Sequence, residues 1–317
     1  MSAQRRERLL VTAAARGERL DHFLAKTLAP LSRKAIKRAL DSGQVFVDGR
    51  CAGRAGIVLQ GGERIELSID GEILSPAMDV PPLIILWQDE SLLAINKPAG
   101  LPAHPTVSGR PNALDLVSAL FAESGGALRP ILLHRLDADT TGLLLFALTR
   151  EANLSLACQF STHQIEKTYL ALVSGTPPER FVVSNHLKAG VRGRTMAVAS
   201  GGLAAQTDFR TLASRAGVAL VAARPRTGRT HQIRAHLAGL GYPLLGDSLY
   251  GGATSLQTTS GRVAVPRHLL HAHSLIMVHP QSQQPQMLTA PLADDFLFFL
   301  NVLEIDTKMV DFALQML

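Results

Sequence analysis

The sequence predicts a mixed α+β protein in two parts, a small basic α/β-type domain and a larger domain of many short strands. Three observations predict it. Short apolar runs separated by turn residues recur from residue 83 onward, with a few helical stretches between them. No regular strand–helix alternation supports a parallel doubly wound sheet. The basic residues crowd into the first forty positions, where ten Lys and Arg stand against three acidic residues, while the remainder holds 22 against 23.

The elements follow in order. Residues 1–16 read as an N-terminal tail. Arg5, Arg6 and Arg8 before Leu9-Leu10-Val11 resemble the start of a leader peptide. Thr12 interrupts the apolar run and Arg16, Glu18 and Arg19 follow, so a cleaved leader is the weaker reading. Leu20, Phe23, Leu24 and Leu28 have helical spacing, and Ala29-Pro30 ends that helix. Ser32 fits the N-cap of a second helix that turns Ile36, Ala39 and Leu40 inward and projects Arg33, Lys34, Lys37 and Arg38 outward. Val45–Val47, the Asp48-Gly49 turn and an alternating strand at Arg64–Leu67 complete a small domain over 17–70. Periodicity lapses over 71–82, around Ser75-Pro76 and Pro81-Pro82, which reads as a linker. From 83 to 317 the clearest strands are Leu83–Trp87, Leu92–Ile95, Leu143–Leu148, Tyr169–Val173 and Val218–Ala223. Helices are expected at Asn112–Phe121 and Thr230–Leu240. The second carries Ile233, Leu237 and Leu240 on one stripe and stops at Gly239 and Gly241.

Composition narrows the function classes. Charged residues make up 18% and hydrophobic ones 46% of the 317 residues, which excludes a largely disordered chain. No apolar run reaches the ~18 residues of a membrane span. Two cysteines, Cys51 and Cys158, exclude a disulfide scaffold and a four-cysteine zinc site, and point to a cytoplasmic protein. A local basic cluster suits a polyanion, because each neutralised phosphate releases counterions; a plain solvated face serves it equally well.

Three segments carry chemistry. In His134-Arg135-Leu136-Asp137-Ala138-Asp139-Thr140-Thr141-Gly142, a charged loop leads into an apolar strand. A carboxylate there can act as a nucleophile if it is desolvated and held by a cation, or can simply make turn hydrogen bonds. In Thr227-Gly228-Arg229-Thr230-His231-Gln232-Ile233-Arg234, a helix begins. Arg229 and the N–H groups of that start suit phosphate. Arg234, beside the inward Ile233, needs a carboxylate if it turns into the protein. In Glu166-Lys167-Thr168-Tyr169, the tyrosine suits a general base, a stacking platform or plain core.

Taken together, these segments, with the lead-in Asn96–Leu101, His104-Pro105, the stretch Gly246-Asp247-Ser248-Leu249-Tyr250-Gly251 and the run from His271 to His279-Pro280, resemble the RluA-type pseudouridine synthases over residues 83–290. The stretch over 17–70 resembles the small RNA-binding domain of the ribosomal-protein S-four type, which several members of that family carry. The resemblance implies a mainly antiparallel catalytic sheet and the isomerisation of uridine to pseudouridine in RNA, with no metal, nucleotide or redox cofactor. It implies that Asp137 is the nucleophile, attacking either the ribose or the uracil ring. Tyr169 would lie against the base, Arg234 would pair with Asp137, and Arg135 would fill the gap left by a flipped uridine. His134, Lys167, Arg229 and His231 are further expected RNA contacts. Large-subunit ribosomal RNA is the expected substrate, with transfer RNA second, and a monomer is the expected state.

Two other classes compete. His268, His271 and His273, with His279 nearby, have the close spacing of zinc ligands, but a strand there sends His268 away from the face shared by His271 and His273, and no carboxylate is near in sequence. A non-catalytic RNA-binding or ribosome-assembly protein accounts for the basic residues. It gives no reason for Asp137 in an RNA-facing loop, where a carboxylate repels phosphate.

Overall fold

The structure is a computed structural model, and it describes residues 5–28, 36, 39–40, 43–53, 56–69, 82–106, 110–123, 129–258 and 261–307. The chain divides into two compact units: Met1–Pro82 with Pro105–Asn112, and Leu83–His104 with Ala113–Leu317.

In the first unit, β1 (Arg5–Leu10), β2 (Val45–Val47), β3 (Arg50–Cys51) and β4 (Arg64–Ile69) form an antiparallel sheet in the order β1-β4-β2-β3. The predicted strands and the Asp48-Gly49 turn are present. Asp48 and Gly49 both have positive φ, 48° and 75°, the backbone a two-residue hairpin of matching twist requires. The segment read as a tail is different: Arg5–Leu10 pairs with β4 in unbroken register from Arg5↔Ile69 to Leu10↔Arg64. Helix α1 (Leu20–Thr27) buries Leu20, Phe23 and Leu24 against Val45, Leu59, Ile65 and Leu67. Of the second predicted helix, Ile36, Ala39 and Leu40 are helical and buried, facing inward as their spacing requires. Arg33, Lys34, Lys37 and Arg38, and the linker up to Pro81, lie outside the described residues.

The second unit is built on one large sheet. Its strands are β5 (Ile84–Gln88), β6 (Leu92–Lys97), β7 (Ile131–Leu132), β8 (Thr141–Ala147), β9 (Glu166–Ser174), β10 (Arg180–Ala189), β11 (Thr195–Val198), β12 (Leu203–Arg215), β13 (Val218–Pro225), β16 (Leu270–Val278) and β17 (Pro285–Thr289); a separate hairpin pairs β14 (Ser255–Thr258) with β15 (Gly261–Ala264). The order is β11-β10-β12-β13-β9-β16-β8-β6-β5, with β17 added to β16 and β7 to β8. Among the described residues every pairing is antiparallel except β8 with β16, which run parallel through His271↔Thr141 and Ala272↔Gly142. Gly142 makes that joint possible: its φ is +108°, and a Cβ there would collide with the Ala272 carbonyl.

The central strands are buried on both faces, so they read as continuous apolar runs. Leu170, Leu172, Leu220 and Ala222 pack on one face against Phe296, Phe299 and Leu300 of α5 (Asp294–Val302). The alternate residues Ala171, Val173, Val221 and Ala223 pack on the other with Ile233 and Leu237 of α4 (Gln232–Gly239). Two further helices, α2 (Ala113–Glu123) and α3 (Arg150–Ser161), complete the unit. Thr149 caps α3 by accepting the Ala152 N–H at 3.1 Å. Helix α4 ends before Gly241, whose φ is +84°. Leu240, expected on its buried stripe, is the C-cap residue and is 47% exposed.

Candidate active site

The loop between β7 and β8 carries Asp137, and two buried cations hold that loop by its backbone. Lys97, the last residue of β6, is fully buried; its Nζ donates to the carbonyls of Pro98, Leu101 and Ala138, each at 2.8 Å. Three acceptors match the three protons of an ammonium. Burial pulls its pKa down to about 7, against the raising charges of Asp139 and Asp137. Arg267 donates to the Asp139 carbonyl at 2.9 Å, and Asp295 of α5 grips it from the other side at 2.6 and 2.7 Å. A turn closes the loop, with Thr140 N donating to the Asp137 carbonyl at 3.1 Å. Thr140 and Thr141 in turn bond His268 and His271, both at 2.9 Å.

Helix α4 brings Arg234 to this loop. Its Nη1 donates to Asp137 Oδ2 at 2.9 Å, while Nε and Nη2 donate to the two oxygens of Asp247 at 2.7 and 2.9 Å. The side chains of Arg234 and Asp247 are 8% and 1% exposed, whereas Asp137 keeps 19% open. Burial works against the guanidinium, but the hydrogen bonds and charges of Asp247 and then Asp137 outweigh it and raise its pKa. The Arg234 guanidinium carbon sits 5.1 Å from the centre of the Tyr250 ring.

His231, the N-cap residue of α4, has the left-handed backbone φ 53°, ψ 23°, an uncommon conformation for a residue with a Cβ. It places Nε2 3.7 Å from Asp137 Oδ2 and Nδ1 3.2 Å from the Tyr250 hydroxyl. Next to it, Gln232 satisfies the loop that precedes the helix. It accepts from Thr227 Oγ1 and Arg229 N at 2.7 and 3.0 Å, and donates to the Gln206 carbonyl and Thr207 Oγ1, both at 2.9 Å.

These groups open onto a cavity of about 490 Å³. Asp137, Tyr169 and Arg234 line it together, as do the other expected contacts His134, Arg135, Lys167, Arg229 and His231. Tyr169 lies in β9, and burial followed by the charge of Asp137 raises its pKa. His134 accepts the Leu145 N–H through Nε2 at 3.2 Å. Burial, with Lys167 adding to it, holds its pKa at about 3, so it lines the cavity as a neutral ring. Burial also lowers the pKa of Lys167. Arg229 is tied back to the Ala204 carbonyl at 3.0 Å, and Arg135 is exposed.

The sequence alone assigns no role to Lys97, Asp247, Arg267 or Tyr250, although Lys97, Asp247 and Tyr250 sit inside the motif stretches. The signal available is a charged residue set close to apolar or small ones, as with Lys97 after Leu93-Ala94-Ile95 and Asp247 after Leu244-Leu245-Gly246. The histidine cluster is spent on hydrogen bonds: His268 and His271 bond threonines, and His279 bonds Asp89 at 2.8 Å. The rings of His271 and His273 lie 6.3 Å apart. Among the described residues no group of three or more His, Cys, Asp or Glu side chains is placed to hold a metal ion.

Comparison with known proteins agrees with this geometry. The family model for RNA pseudouridylate synthase matches residues 91–239. An RNA pseudouridine synthase of Chloroflexus aurantiacus is 38% identical over 294 residues, covering 90% of each chain. The ribosomal large subunit pseudouridine synthase D of Zymomonas mobilis is 33% identical over 320 residues, covering 95% of this chain and 99% of its own. Among solved structures, human RNA pseudouridylate synthase domain containing 4 superposes with a TM-score of 0.56 at 29% identity, over 70% of this chain and 93% of that one. A sheet joined by one parallel pairing, a carboxylate paired to a buried arginine over a cavity, and full-length relatives above 30% identity lead to one conclusion: the chain belongs to the RNA pseudouridine synthases, enzymes that isomerise uridine in RNA.

Proposed function

We propose that this enzyme converts uridines of large-subunit ribosomal RNA to pseudouridine, with Asp137 as the nucleophile. The observation that carries the reading is the state of Asp137. Its carboxylate is one-fifth exposed at a cavity that Tyr169 also lines, and among the described residues its side-chain contacts are made through Oδ2. A carboxylate placed against an anomeric carbon is the arrangement of the glycosidases, whose first step breaks the same kind of bond.

In this reading the target uridine leaves its stack and enters the cavity, at a cost of a few kcal/mol. The volume, about 490 Å³, falls within the ~300–1,000 Å³ typical of small-ligand sites. Asp137 attacks the ribose or the ring. The bond from nitrogen one to the sugar breaks, the base turns, and carbon five takes the sugar. The proton on carbon five is lost and nitrogen one gains one, so the reaction balances without a cofactor. Tyr169 lies against the base and serves proton removal from carbon five; Arg234 holds Asp137 in place through its Nη1. Arg135 occupies the place of the flipped base, and His134, Lys167, Arg229 and His231 contact RNA around it. Arg33, Lys34, Lys37 and Arg38 of the S-four-like domain hold the RNA backbone, and the enzyme works in the cytoplasm, where ribosomes assemble.

The ribosomal substrate is supported by the names of the relatives in Zymomonas mobilis and Nitrosomonas europaea, both ribosomal large subunit pseudouridine synthase D. The experiment is tritium release from RNA labelled at carbon five of uracil, with unmodified ribosomal and transfer RNA run side by side. Wild type releases tritium from ribosomal RNA, and Asp137→Asn binds the RNA but releases none. Release from transfer RNA alone would transfer the substrate assignment. Binding without release by wild type would leave a non-catalytic RNA binder.

A further inference from the structure

We propose that His231 is a further catalytic residue, the general base that takes the proton from carbon five of uracil on its Nε2. The inference rests on the reading of Asp137 as nucleophile and extends it to the last chemical step.

The Tyr250 hydroxyl decides which nitrogen of His231 is bare. A hydroxyl has one proton to give and two lone pairs to accept with. The proton goes to the Thr195 carbonyl at 3.1 Å, and one lone pair takes the Thr195 N–H at 2.7 Å. What remains for His231 Nδ1, 3.2 Å away, is an accepting lone pair, so Nδ1 carries the ring's hydrogen. In the neutral ring Nε2 is then unprotonated. It stands 3.7 Å from Asp137 Oδ2, beyond hydrogen-bond range, on a side chain that is 16% exposed and lines the cavity.

The ring is held there against the preference of its backbone. His231 has the left-handed φ of 53° at the start of α4, and its side chain makes no capping bond to that helix. Gln232 fixes the next residue with its four hydrogen bonds, and Tyr250 meets the imidazole edge-on with ring centres 5.8 Å apart. Strain of this kind persists where the surroundings fix it, and it gathers at sites where a side chain has to be aimed. A residue that only touched RNA would need neither the strained backbone nor a fixed tautomer.

The chemistry calls for a proton acceptor at this spot. Carbon five lies one bond from the atom that Asp137 engages: from carbon six if the ring is attacked, and from the anomeric carbon once the new bond has formed. Its proton therefore leaves beside that carboxylate. The carbon–hydrogen bond breaks, its electron pair returns to the ring, and the proton passes to Nε2; the imidazolium gives it to water after the product leaves. Burial lowers the pKa of His231, ahead of the raising charge of Asp137; Arg234 and Arg135 also lower it, and Asp247 raises it. Arg194 stands further off, over the Tyr250 ring at 5.0 Å. The imidazole is thus neutral and able to accept near pH 7. Burial and then Asp137 raise the pKa of Tyr169, so the phenol keeps its own proton and serves by holding the uracil.

The test measures RNA affinity and single-turnover tritium release for wild type, His231→Gln and His231→Gly. Glycine suits a positive φ, so the second variant keeps the test open if the first does not fold. Both variants should bind RNA as wild type does and release tritium at least about 10²-fold more slowly, the low end of what a general base contributes. With deuterium at carbon five, the appearance of pseudouridine should slow more in the variants than in wild type, because proton removal has become their slow step. Nitrogen NMR of histidine-labelled wild type should show His231, identified by its absence from the variants, with Nδ1 protonated and Nε2 bare at neutral pH. The proposal is overturned if either variant releases tritium at the wild-type rate, if the loss follows weaker RNA binding, if deuterium makes no extra difference, or if Nε2 carries the proton. A wild type without release, or an active Asp137→Asn, removes the nucleophile reading first and this inference with it; failure of the His231 arms alone leaves that reading intact.

Discussion

At the scale of single residues, this site depends on groups that never meet the substrate. Lys97 shows the logic. A folded pKa of about 7 against the ordinary 10.5 means that the unfolded chain binds the extra proton across that interval, so stability rises with pH there. The unfolding free energy of wild type relative to Lys97→Met should therefore increase between about pH 7 and 10.5, by up to about 1.4 kcal/mol per pH unit. Urea melts of the two proteins at several pH values measure it, and a pH-independent difference would contradict the assignment. Asp137 and Arg234 were legible in the sequence because each stands in a recognisable segment. Asp247 and Lys97 were legible only as part of motif stretches. Their work is done on partners 13 and 41 residues away, and nothing local in the sequence announces a buried contact.

At the scale of elements, β8 and its joint to β16 matter most, because β8 leads directly out of the Asp137 loop. Gly142→Ala would add a Cβ that meets the Ala272 carbonyl, at a φ of +108°. The expected destabilisation is at least the ~1–3 kcal/mol of a strained backbone position, with loss of turnover because the loop shifts with the strand. Denaturant melts and tritium release check the two parts separately. The strands named from sequence are present, and β6, β8 and β13 stand out because their residues are apolar and buried on both faces. β1 was missed because Arg5, Arg6 and Arg8 look like a solvated tail. As an edge strand beside β4, it presents the exposed Arg8, a charge of the kind that usually protects a sheet edge. The long strands β10 and β12 are harder to read because small and charged residues, as in Ser184-Asn185-His186 and Gln206-Thr207-Asp208, break up their apolar runs.

For the whole molecule, the buried imidazoles set the response to acid. His236, His268 and His271 are almost fully buried, and burial holds their pKa values at about 4, 4 and 3. Each folded value lies below the ordinary 6.5, so the unfolded chain takes up protons first as pH falls. Stability is then lost between about pH 6.5 and 4, at up to about 1.4 kcal/mol per pH unit for each ring. Replacing His236 by Gln should reduce that slope by about one proton, read from melts at pH 7, 6 and 5. The sequence indicated a sheet-rich α+β domain behind a basic one. The strand order, and the fact that residues 141 and 271 become neighbours, were not legible, because pairing between distant strands leaves no periodic trace in either segment.

The separation of Asp137 from its arginine has a consequence for synthesis. The two lie 97 residues apart. A ribosome adding about 5–20 residues per second needs roughly 5–20 s to make that interval. Throughout it the emerging chain carries the carboxylate without its counter-charge, and Asp295, the partner of Arg267, is made later still. A chain that ends before α5 lacks the ion pair through which Asp295 holds Arg267 against the carbonyl of Asp139 in the Asp137 loop.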